Sequence, residues 1–160
     1  MGDVYFYHLT RSPMAATVTD LLGKCLANNW RVVVQGQNFP VMQALDTHLW
    51  KGSADAFLPH GLANGKTDDD QPVLLTVDLA IYDTRQVLMV VDDAPFNPTD
   101  AQHLERVCIL FDGNNPQSVD IARAKWKAVS DAGLTAQQWS QSTGHWQQKA
   151  SARYVIPYNN

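Results

Sequence analysis

Arg123 and Lys127 stand four residues apart in a stretch with helical spacing, so both side chains leave the same side of one helix. Trp126, three residues after Arg123, borders that side. Val119, Ala122, Trp126 and Val129 form the apolar stripe of the same segment. A cationic pair beside an indole face has the chemistry to receive a short acidic peptide that ends in an aromatic residue and a free carboxylate. Arg supplies a planar donor fork for that carboxylate. The same pattern also describes an ordinary amphipathic helix with solvated bases and a half-buried Trp.

A second group combines Trp50, Phe57 and Pro59 at a helix end and in the loop after it. Bulky apolar residues so placed are natural anchors of a protein–protein contact. They are equally natural as a cap on a sheet edge, buried as core. Sequence physics leaves both readings open.

Other chemistries lack their residues. A nucleotide site on an α/β sheet calls for a glycine-rich turn after the first strand. Here the turn is Thr10-Arg11-Ser12-Pro13, and no Gly-Lys-Ser/Thr occurs anywhere. The five histidines His8, His48, His60, His103 and His145 form no i, i+4 pair, and no Cys stands at ligand spacing. No metal and no cofactor are expected. There is no Gly-x-Ser-x-Gly, and both cysteines lie in apolar segments where a thiolate is disfavoured. Asp68-Asp69-Asp70 reads as a solvated acidic loop. Asp92-Asp93-Ala94-Pro95-Phe96 has the look of an acidic–aromatic peptide end, but it is internal and carries no free carboxylate.

With 160 residues, 45% of them hydrophobic, the chain can bury one core without disulfides or metals. The net charge of −4 disfavours tight binding to a nucleic-acid backbone, and with it a stacking platform for single-stranded DNA. Cys25 and Cys108 read as buried free thiols of a reducing compartment. Asp3 and Tyr5 interrupt any apolar N-terminal run, and no stretch nears the roughly 18–20 apolar residues of a membrane span. A cytoplasmic protein without a membrane partner is the expectation.

The elements that must position these residues alternate. Val4–Leu9 and Arg31–Val34 read as strands, Met14–Asn28 and Val41–Trp50 as helices. Pro72–Val77, Gln86–Val91 and Arg106–Phe111 read as further strands. Pro116–Ala132 reads as a helix capped by an Asn and closed by Gly133. Leu134–Ala150 is expected to be a last, Gln-rich helix. Strand–helix alternation and unbroken apolar strands give the fold class: α/β, one Rossmann-like domain with a mostly parallel sheet flanked by helices and no nucleotide-binding loop. The domain is expected over residues 1–150, with a flexible tail over 151–160.

Leu45-Asp46-x-x-Leu49-Trp50 followed by Phe57-x-Pro59-His60 resembles the chi subunit of the bacterial DNA polymerase III holoenzyme. The resemblance runs over roughly residues 3 to 139 and includes Ala122-Arg123-x-x-Trp126-Lys127-Ala128. It implies a non-enzymatic adaptor. Arg123, Trp126 and Lys127 would receive the C-terminal tail of single-stranded DNA-binding protein. Trp50, Phe57 and Pro59 would face the psi subunit, or another holoenzyme or helicase partner. One position departs from the pattern: Val119 stands where the family can carry a base, so Lys127 or Lys125 would have to supply that charge. The rival reading is a nucleotide- or phosphate-handling enzyme on the same kind of sheet.

Overall fold

A computed structural model gives the fold. It describes residues 3–10, 13–51, 60–62, 72–77, 85–99, 104–140 and 147–151, with the backbone alone for 50, 60–62, 140 and 147–151. In chain order the elements are β1 (Asp3–Leu9), α1 (Met14–Ala27), β2 (Val32–Gln35), α2 (Phe39–Trp50), β3 (His60–Leu62), β4 (Val73–Thr76), β5 (Val87–Val90), β6 (Arg106–Asp112), α3 (Pro116–Asp131), β7 (Ala136–Ser140) and β8 (Gln147–Ser151). The strands form one sheet in the order β3-β4-β2-β5-β6-β1-β7-β8. Every neighbouring pair is parallel except β7 with β8. The expected α/β architecture is therefore present.

Alternation along the strands divides the core in two. Val4, Phe6, Val107 and Ile109 face α3 and meet its stripe of Val119, Ala122, Trp126 and Val129. Tyr7, Val34, Cys108 and Leu110 face the other way, onto Val18, Leu22 and Cys25 of α1 and Met42 and Leu45 of α2. Burial on both faces explains why these strands read as unbroken apolar runs. Each fully buried aliphatic side chain stabilises the fold by roughly 1.5–3 kcal/mol.

The helix ends follow their local chemistry. The Asn115 side chain accepts from the backbone N–H of Gln117 at 3.0 Å, with Pro116 in the first turn of α3. Past the other end, Gly133 has φ +77°, the left-handed conformation that suits glycine.

The expected last helix over Leu134–Ala150 is not there. Residues 136–140 are β7, which continues the sheet beside β1, and β8 turns back antiparallel to it. Buried Ala136 and Gln138 alternate with half-buried Gln137 and Trp139, which is a strand period. The Gln-rich composition favours a helix locally, and pairing with a buried strand overrides that preference. Ser151, expected to open the tail, is the last residue of β8. Residues 152–160 lie outside the described residues.

Candidate functional site: helix α3 and the crevice at the strand ends

In α3 the residues on the solvent side and the residues beneath it divide sharply. Trp126 is 4% exposed and stands edge-on to Phe6, with ring centroids 5.1 Å apart and planes at 60°. It belongs to the core and offers no open face. Val119 is likewise buried. Arg123 is half-buried on the flank of the stripe. Lys127, one turn on, has a side chain 79% exposed, and its Nζ lies 3.3 Å from the Asp131 carboxylate. Such an exposed i, i+4 pair contributes only a few tenths of a kcal/mol, so the ammonium is available in exchange for little.

Lys125 takes a different place. A helix turns about 200° over two residues, so Lys125 leaves the flank opposite to Lys127. Its side chain is nearly buried, and burial lowers its pKa to about 8 although the Asp93 carboxylate pulls it up. Arg123 and Lys127 therefore share a side, and Lys125 does not join them. Of the second group, α2 ends at Trp50, whose side chain is not described, and Phe57 and Pro59 lie outside the described residues.

The crevice where this class of sheet holds its ligands is also formed. β1 leads into α1 on one face and β6 into α3 on the other, so the chain diverges at their carboxyl ends. A cleft of about 570 Å³ lies there, lined among others by Thr10, Met14, Val41, Asp92, Asp93 and Asp112. Met14, Val41 and Ser118 bring the first turns of all three helices to it. Helix N-termini attract anions. Here the chain's own carboxylates answer them. Asp92 accepts from the backbone N–H groups of Gln37 at 3.1 Å and Asn38 at 2.8 Å. Asp93 accepts from the Ser118 hydroxyl at 2.8 Å, and Asp112 from the N–H of Asn114 at 2.9 Å. Asp92 and Asp93 hold φ of 57° and 54°, left-handed conformations that Asp tolerates better than most residues. The peptide-like Asp92–Phe96 stretch thus has structural work: it caps α2 and ties to α3. Its composition alone could not reveal that.

Beneath this crevice His8 is fully buried against Phe111, ring centroids 5.2 Å apart. Neither ring nitrogen has a hydrogen-bond partner. Burial lowers its pKa, and the Asp112 charge acts in the opposite sense. The thiols of Cys25 and Cys108 are free and buried, and desolvation raises both pKa values. Among the described residues no group of three His, Cys, Asp or Glu could hold a metal ion, and no helix is long and apolar enough to cross a membrane.

Two comparisons bear on these observations. Residues 1–137 match the family model described as "DNA polymerase III chi subunit, HolC". A curated relative, "Probable DNA polymerase III subunit chi" of Rickettsia prowazekii (strain Madrid E), is 25% identical over 107 residues. That alignment covers 67% of this chain and 62% of the relative, so the match spans less than two thirds of the relative's length.

Proposed function

The chain belongs to the DNA polymerase III chi subunit family, and from that premise we propose that it is a non-enzymatic replication adaptor, linking the C-terminal tail of single-stranded DNA-binding protein to the clamp-loader assembly. The observation that carries the reading is the family match across residues 1–137, which includes all of α3. Arg123 and Lys127 supply the positive side of the tail contact. Trp126 acts from beneath, setting the height of that turn on Phe6 and fixing where Arg123 leaves the surface. Trp50, Phe57 and Pro59 form the second contact, toward the psi subunit or another holoenzyme or helicase partner.

The mechanism is bivalent tethering. One surface grips a protein that coats the template and another grips the polymerase complex. Two modest contacts on one molecule give avidity far above either alone. The tail contact is ionic and weakens with salt.

The competing reading, a nucleotide- or phosphate-handling enzyme, is disfavoured by the crevice. Its helix N-termini face Asp92, Asp93 and Asp112, which would repel a phosphate. A rise in melting temperature with added nucleotide would revive it.

Sedimentation of the full chain with single-stranded DNA-binding protein on an oligonucleotide tests the adaptor. Co-migration that disappears when the last residues of the binding protein are deleted is the expected result. Co-migration indifferent to that deletion would refute the tail contact.

A further inference from the structure

On the sheet face opposite α3, a groove of about 420 Å³ runs between α1 and the strands β1, β6 and β7. Tyr5, Tyr7, Trp30 and Trp139 line it, together with Arg106 and Lys24. Its polar groups are poised without being used. The Arg106 guanidinium rests 4.6 Å from the Tyr5 ring centroid and 5.1 Å from that of Trp30. Those rings hold the guanidinium in place, and among the described residues its donors meet no carboxylate or carbonyl. The Trp139 indole Nε1 is buried with no acceptor. Lys24 is exposed and has no ion pair among the described residues. A buried N–H without an acceptor costs roughly 1–3 kcal/mol, and a ligand that supplied one would recover it.

We propose that this groove is a docking site for the C-terminus of a partner polypeptide whose last residue is aromatic. The terminal carboxylate accepts from Arg106 and from the Trp139 indole N–H, and the aromatic side chain packs among Tyr5, Tyr7 and Trp30. Charge selects this occupant. Two cations and one carboxylate, Asp20, line the groove, a net of +1. That complements a monoanionic chain end. A nucleic-acid strand carries a phosphate per nucleotide and would meet a protein of net charge −4. The inference does not depend on the α3 contact, because the two sites lie on opposite faces of the sheet.

The test is a titration of the isotopically labelled full chain, followed through the Trp139 indole N–H and Arg106 Nε–H resonances. The probes are N-acetyl-Asp-Asp-Phe as the free acid, the same peptide as its C-terminal amide, and a short oligothymidylate. The free acid should move both resonances saturably. The amide should bind about tenfold more weakly or worse, the loss expected of one charge-assisted hydrogen bond. Arg106→Met should weaken binding by a similar factor. Lys24→Glu, an exposed change that leaves the core untouched, should weaken it several-fold, and Arg123→Ala should leave it unchanged. Equal binding of acid and amide, binding indifferent to both Arg106→Met and Lys24→Glu, or tighter binding of the oligothymidylate at the same resonances would each overturn the proposal.

Discussion

The Trp126 indole meets Phe6 edge-on across the interface between α3 and β1, with centroids 5.1 Å apart. This contact assigns Trp126 to the fold. Trp126→Ala should cost about 3–5 kcal/mol of stability, the usual range for emptying a buried aromatic site. Trp126→Phe should cost much less and keep the peptide-binding behaviour of α3. Urea unfolding followed by circular dichroism measures both. A Trp126→Ala protein as stable as the parent would place the ring on the surface instead.

Asp131 competes with any acidic ligand for Lys127, 3.3 Å away. Asp131→Asn should leave stability within about 0.5 kcal/mol, because the pair is exposed. It should also tighten the contact of α3 with an acidic tail several-fold, as a freed cation and a lost repulsion act together. Affinities of the two proteins for the tail peptide at low salt decide this. Weaker binding by Asp131→Asn would contradict the placement of Lys127 in the contact.

Part of this was legible in the sequence. The apolar runs of β2, β5 and β6 announced a sheet buried on both faces, and the Asn115-Pro116 start and the Gly133 end of α3 were readable from cap chemistry. Gln137, Gln138 and Trp139 were not. Their strand state comes from pairing with β1, which lies more than a hundred residues earlier. Spacing also put Trp126 beside Arg123 correctly, yet it could not say that Phe6 would cover the indole. Arg106 was read only as the start of a strand. Its association with Tyr5 and Trp30 depends on sheet register and on the turn after α1, which no local pattern encodes.

Gly113 lies so close to the His8 imidazole that a methyl group there would overlap the ring. Gly113→Ala should therefore lower the melting temperature, and pairing it with His8→Ala should recover part of the loss. A double-mutant cycle reads this coupling. Simple additivity would show that the ring moves aside freely.

The same histidine gives an acid response. Its folded pKa is below the ordinary 6.5 because the ring is buried, so the unfolded chain binds the extra proton first. His8 thus contributes a stability loss that begins as pH falls below about 6.5 and grows until the folded ring also titrates. Removing the imidazole in His8→Leu should flatten the stability profile in that window. An unchanged acid slope would contradict the burial of His8.

Lys125 acts at the other end of the scale. Its folded pKa of about 8 is below the unfolded value of 10.5, so the unfolded state holds more protons between them. Stability from this group rises as pH increases from about 8 toward 10.5, while raised thiol and phenol pKa values of Cys25, Cys108 and Tyr7 oppose it. The difference between wild type and Lys125→Met isolates the lysine. Lys125→Met should be the more stable protein at pH 7, with its advantage shrinking across that window. A constant difference would show that Lys125 keeps its charge solvated.

The central claim is that this chi-family chain holds the tail of single-stranded DNA-binding protein through α3. Calorimetric titration with a peptide of the last ten or so residues of the same organism's binding protein tests it most directly. The account predicts saturable binding that weakens at raised salt and again in Arg123→Ala. No binding to the wild-type chain, or binding untouched by both salt and Arg123→Ala, would contradict it.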